Sequence, residues 1–308
     1  MAVFGSRRQT GIALAFAAAV VSGFSVYLNA FALREFGNPT LYTTVKNLVA
    51  AALLLGLATA LTTRGAHGGF QRPQGARQIT GLLAVGVIGG GIPFVLFFEG
   101  LARSSASSAG FIQKTLVLWV AVLAVSFLRE RFGPVHVAAI VLLIGGQLAL
   151  AGGLVTPALG TGEALIFLAT LLWAAEVVIA KRLLGFLSPL TVACARMGIG
   201  SIVLVTFAIG SGAAAAIPSL SAGQWGWAIL TGMVLTVYVA TWFSALALAQ
   251  AVDVTAVLVF GAIITAILSS GGRIFTLAPG AAGIALIAAG ALAIALLARR
   301  SDGAARPV

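Results

Sequence analysis

Four ionisable residues, Lys46, Lys114, Glu176 and Arg196, lie inside long apolar runs of this chain. A charge at the middle of a bilayer costs at least about 2.5–3.5 kcal/mol on insertion scales, so each is a functional candidate. At 1.5 Å per residue, Arg196 sits about 10 Å from the inner boundary of its run, and Glu176 falls at nearly the same depth on the preceding helix. Equal depth on consecutive helices suits an ion pair, which would be structural or would carry a coupling proton; no other acidic residue lies as deep. Lys46, about 10 Å below the outer boundary, and Lys114, near the midplane, have no acidic residue at their own level. An ammonium without a counter-ion can attract the carboxylate of a substrate. The alternative for both lysines is a bond to backbone carbonyls at a helix break, or snorkelling toward water. Gln113 and Lys114 stand beside Phe111 and Trp119, Trp173 lies three residues before Glu176, and Tyr238 and Trp242 share a helix face with Phe243 next to them. Asn29 and Tyr42 lie near the outer ends of the first two helices. Rings around a few polar groups make a site for a flat, partly apolar metabolite, although the same rings can serve as lipid-facing packing. Trp225 and Trp227, which open a span, read as an interfacial belt.

The elements that must position these residues follow from composition. The chain has 308 residues, 60% of them apolar and 8% charged, with a mean hydropathy of +1.12, which excludes a water-soluble globule. A net charge of +11 would suggest nucleic acid in a soluble protein, but the cations occupy short gaps between apolar runs and never alternate with aromatics, so no nucleic-acid partner is expected. The single cysteine, Cys194, permits no intrachain disulfide and no cysteine metal cluster, and His67 and His136 are not spaced as ligands. Neither metal nor cofactor is expected. No Gly-x4-Gly-Lys-[Ser/Thr] loop occurs, which excludes ATP hydrolysis, and Gly110-Phe-Ile-Gln-Lys-Thr115 lacks the second glycine and lies in a span. An enzyme would need a nucleophile with a base or clustered carboxylates near an interface, and neither is visible.

A helix of roughly 20 apolar residues crosses the hydrocarbon core, and lipid admits no other open form. Ten runs qualify: 11–33, 39–62, 78–98, 104–127, 134–155, 163–185, 189–210, 224–248, 254–271 and 278–298. Asn38-Pro39, Gly133-Pro134, Ser188-Pro189 and Ala278-Pro279 mark helix starts. The first run is too long for a secretory leader and reads as an uncleaved span. With the N-terminus inside, the inner loops and tails hold twelve cations (Arg7, Arg8, Arg64, Arg72, Arg77, Arg129, Arg131, Lys181, Arg182, Arg299, Arg300 and Arg306) against three outside (Arg34, Arg103 and Arg273). Both termini are therefore expected in the cytoplasm of a bacterial cell, with the protein in its inner membrane among lipid.

The sequence also repeats. Gly11-Ile-Ala-Leu matches Gly162-Glu-Ala-Leu, Pro39 precedes Lys46 as Pro189 precedes Arg196, Pro134 matches Pro279, and Gly145-Gly146 matches Gly290-Ala291. Five helices is an odd number, so two such halves, 10–155 and 162–299, must lie upside down relative to one another. Gly86 and Gly90, Gly145 and Gly152-Gly153, and Gly283 with Gly290 leave small surfaces for close packing, and Gly89-Gly90-Gly91-Ile92-Pro93 is a place for a kink.

With the turn Leu128-Arg-Glu-Arg-Phe-Gly-Pro134 and Gly-rich fifth and tenth helices, the chain resembles the drug/metabolite transporter superfamily in its ten-helix EamA-type form, over about 10–299. Within that superfamily it is most similar to bacterial aromatic amino acid exporters. The family usually has a proline within its fourth and ninth helices; here neither run contains one, so the sequence sets no hinge there. The expectation is an all-α membrane protein of ten transmembrane helices, two inverted five-helix repeats around a central cavity. It would export amino acids with aromatic or bulky apolar side chains by alternating access, a monomer sufficing for transport. Lys46 or Lys114 would hold the substrate carboxylate, Glu176 and Arg196 would form a structural or coupling pair, and Tyr42, Asn29, Gln113, Trp119, Trp173, Tyr238, Trp242 and Phe243 would line the cavity. One rival is an exporter of drugs or organic cations, which needs an unpaired carboxylate; another is a membrane scaffold without transport, which needs no cavity.

Overall fold

The structure is a computed structural model that describes residues 7–64, 69–104, 106–150, 160–276 and 278–303. Gly152-Gly153, His67, Arg306 and the last residues of the run 134–155 lie outside them. Among the described residues there is no strand, and ten helices account for the ten runs. They are α1 (Arg7–Phe36), α2 (Pro39–Thr63), α3 (Gly75–Leu101), α4 (Ala106–Lys114 continued by Leu116–Leu123 and a π turn at Ala124–Leu128), α5 (Pro134–Leu150), α6 (Thr161–Leu183), α7 (Pro189–Gly210), α8 (Ala222–Leu248), α9 (Ala251–Leu258 and Gly261–Ser270) and α10 (Ala278–Gly303). Nine are long and apolar enough to cross a membrane, and α5 is an apolar helix of 17 residues.

The starts obey local chemistry. Asn38 accepts from the Leu41 amide with Pro39 in the first turn of α2, and Ser188 accepts from the Thr191 amide with Pro189 at the matching place in α7. Ser221 and Gln224 form a capping box on α8.

Contacts repeat with the halves exchanged. α1 packs on α8 as α6 packs on α3; α1 meets α9 as α6 meets α4; α2 meets α8 as α7 meets α3; α2 meets α7, and α5 meets α10. The last two pairs join equivalent helices, and both run antiparallel. Thr44 reaches the Leu204 carbonyl and Cys194 reaches that of Leu54, so advance along α2 is retreat along α7. Likewise a Cβ on Gly146 would fall 2.7 Å from the Gly283 oxygen, and one on Gly290 2.9 Å from that of Ala139. Equivalent helices that oppose each other establish the inverted repeat. Arg8 of α1 and Leu297 of α10 lie at one end of the bundle, here called the terminal end.

Three helices are interrupted, α3 at the glycine run where the sequence offers a kink and α4 and α9 where it sets none. In α3 the backbone widens to a π turn over Gly86–Gly91, ahead of Pro93. In α4 the Thr115 amide is shared between the carbonyls of Phe111 and Ile112, and in α9 Val259 and Phe260 bond three residues back, to Ala256 and Val257. Those turns are of 3₁₀ type, which needs no proline, so hinges absent from the sequence are present in the fold. The terminal halves of α4 and α9 pack together, whereas their far halves part, Ala106–Lys114 resting on α6 and Gly261–Ser270 on α1. The residues from Ala251 to Val257 are buried accordingly, while those from Ile264 to Ser270 are not.

The two halves approach closely where α3 crosses α7. A Cβ on Gly90 would fall 1.9 Å from the Arg196 carbonyl oxygen, and one on Gly200 2.4 Å from the Gly90 carbonyl. Gly90→Ala should therefore force the two backbones apart and cost about 1–3 kcal/mol, seen as a lower melting temperature in detergent.

Candidate functional site

The residue that would donate to the Gly89 carbonyl in an α-helix is Pro93, which has no amide proton, and the indole Nε1 of Trp173 on α6 donates to that carbonyl at 3.1 Å. Glu176, one turn further on, lies flat on the same glycine face: a Cβ on Gly89 would meet its Cδ at 2.2 Å. This is the second service of the glycine run, which both widens the helix and admits a carboxylate against it. Arg196 Nε donates to Glu176 Oε1 at 2.6 Å, with both side chains almost wholly buried. The guanidinium also stands over the Phe94 ring at 5.6 Å.

From that pair a string of contacts crosses the bundle. Phe94 meets Trp173 edge-on at 5.6 Å, Trp173 meets Phe97 at 5.5 Å, and Phe97 meets Phe98 at 5.5 Å. Phe98 lies 5.5 Å from the ammonium of Lys46, which stands 4.9 Å from the ring of Tyr42 on its own helix. Tyr42 donates its hydroxyl to Asn29 Oδ1 on α1, and Asn29 Nδ2 reaches Ser25 at 3.4 Å. Five helices, α1, α2, α3, α6 and α7, thus meet through side chains with a charge at each end. Arg196 is neutralised. Lys46 is 3% exposed and has neither a hydrogen-bond partner nor a carboxylate within ion-pair distance among the described residues. Cation–π attraction to two rings offsets only part of the cost of burying that charge.

The remaining candidates are distributed as follows. Lys114 ends the first segment of α4, half-buried beside half-buried Gln113, and it too has no carboxylate in reach among the described residues. Tyr238 stacks on Trp242 at 6.1 Å and lies close enough to Glu176 and Arg196 to feel both charges. Phe243 is wholly buried in the helix-packing core, away from this string. Trp119 bonds Thr115 at 3.2 Å and meets Phe167, which is exposed on the bundle perimeter, so it belongs to the α4–α6 seam. Sequence reasoning passed over Phe94, Phe97 and Phe98, although their i, i+3, i+4 spacing straight after Gly89-Gly90-Gly91-Ile92-Pro93 marks one helix face. No group of residues able to hold a metal occurs among the described residues. Trp173→Phe keeps an aromatic ring but removes the hydrogen bond to the Gly89 carbonyl; a loss of about 1 kcal/mol in unfolding free energy is expected.

The sequence profile of the EamA-like transporter family matches residues 9–151 and again residues 160–296. A solved structure titled "Crystal structure of protein" superposes with a TM-score of 0.75 at 18% identity, covering 94% of this chain and 99% of its own, a likeness of fold alone. No curated protein sequence matches the chain.

Proposed function

As the chain belongs to the EamA-like transporter family, a family of membrane transporters, we propose that it exports amino acids with aromatic or bulky apolar side chains across a bacterial inner membrane by alternating access. One observation carries this reading: the buried ammonium of Lys46, faced by Tyr42 and Phe98 and without an anion of its own. Such a charge accepts a carboxylate, and the run of Phe98, Phe97, Trp173 and Phe94 beside it gives a flat side chain rings to lie against. Glu176, the carboxylate an organic cation would need, is already bound to Arg196. The excess of cations at the terminal end supports a cytoplasmic location for both termini. A radiolabelled competition assay in proteoliposomes checks the proposal. Aromatic and large apolar amino acids should displace one another, while sugars and quaternary amines should not. Competition by cations and none by amino acids would replace amino acid export with drug export.

A further inference from the structure

At the terminal end, charged side chains from both halves gather around the start of α9. The first two amides of α9, Ala251 and Val252, donate to the two carboxylate oxygens of Glu130 at 2.7 and 3.1 Å. Glu130 stands in the connection between α4 and α5, so an acid of the first half caps a helix of the second, where the helix dipole favours an anion. Burial pushes the Glu130 carboxyl above the usual carboxylate range, against the pull of those amides and of Lys181. Lys181 on α6 donates to the carbonyls of Leu246 and Ala249 at the end of α8, at 2.5 and 2.6 Å. Asp253, in the first turn of α9 and 0% exposed, accepts from Arg8 of α1 at 2.8 and 3.2 Å. It also meets His136 Nε2 of α5 at 3.2 Å. The Gly133 amide donates to His136 Nδ1 at 3.1 Å, which puts the ring proton on Nε2 and makes the imidazole a neutral donor to Asp253.

The contacts of Glu130, Arg8 and His136 converge on the start of α9, whose terminal half packs on that of α4, and those of Lys181 on the end of α8 just before it. The internal repeat shows what the other end does without. The offset of 145 that relates Pro134 to Pro279 puts Phe275 where Glu130 stands and Ser108 where Asp253 stands. At the far end Ser104 of the α3–α4 connection donates to Glu163 of α6 at 2.6 Å, and the far halves of α4 and α9 part.

We propose that Glu130 and Asp253, with Arg8, His136 and Lys181, form a clasp that gates the terminal end. While they hold α9, the central site faces the far side only, and opening toward the termini requires the clasp to let go. The inference rests on reading the chain as an alternating-access carrier, but its test reads conformation and not transport.

The full chain carrying Cys194→Ala would bear one reporter cysteine, either Ala121→Cys, buried on the terminal half of α4, or Gln113→Cys, half-buried on its far half. Maleimide reaction rates are measured on protein in detergent, with and without Glu130→Gln, Asp253→Asn or Arg8→Gln. The last of these touches a partly exposed side chain and leaves the α9 cap in place. Loss of one charge-assisted hydrogen bond should speed labelling at the Ala121→Cys reporter by about tenfold and slow it at the Gln113→Cys reporter. Unchanged rates at the first reporter in all three variants would overturn the clasp, and so would a rise at both reporters, which signifies a loosened bundle. Rates that exchange between the ends in a protein that moves no solute would uphold the clasp and remove the carrier reading.

Discussion

Lys46→Ala is expected to abolish amino acid transport while leaving the protein at least as stable as before. The ammonium is buried with two rings and no anion, so it contributes little to folding, and removing it removes an uncompensated charge. A charge-assisted hydrogen bond to a substrate carboxylate is worth about 1.5–3 kcal/mol, so binding should weaken roughly ten- to a hundredfold. The loss should be confined to ligands with a carboxylate; an amine lacking that group should bind the variant and the parent alike. Transport at the parental rate in proteoliposomes would remove Lys46 from the site.

Glu176→Gln is expected to cost stability instead, by about 3–5 kcal/mol, because it leaves the Arg196 guanidinium buried without its partner. Replacing both residues at once, as Glu176→Gln with Arg196→Met, should recover most of that loss, since similar volume is kept and no lone charge remains. Melting temperatures in detergent give the comparison. A double variant that folds and still transports makes the pair a strut between α6 and α7. A double variant that folds and has lost its response to a pH gradient makes it the coupling group. Equal stability of the single and double variants would show that the ion pair does not hold the helices.

The spans, the repeat and the depth of each charge were legible because length, proline placement and hydropathy fix position along the membrane normal. The ion pair illustrates this: depth placed Glu176 and Arg196 at one level on neighbouring helices, and they meet at 2.6 Å. What hydropathy leaves unset is rotation about the helix axis. In a helix apolar on every side, nothing in the composition distinguishes a ring turned inward from one turned to lipid. Thus Trp119 lies half-buried in the α4–α6 seam and Phe243 in the packing core, while the spacing of Phe94, Phe97 and Phe98, which link the buried charges, marks a face but not the direction in which it points. The Glu130 cap on α9 was hidden for another reason. It joins residues 121 positions apart, and only the folded chain brings a loop acid to that helix start.

The interruptions in α4 and α9 have one more consequence. A proline would make such a bend permanent, because it removes an amide proton and wedges its ring against the preceding turn. Thr115, Val259 and Phe260 keep their protons, and the Thr115 amide already divides itself between the tighter partner and the looser one. Straightening either rod therefore means trading one acceptor for its neighbour with no bond forfeited, so each joint can flex both ways and return.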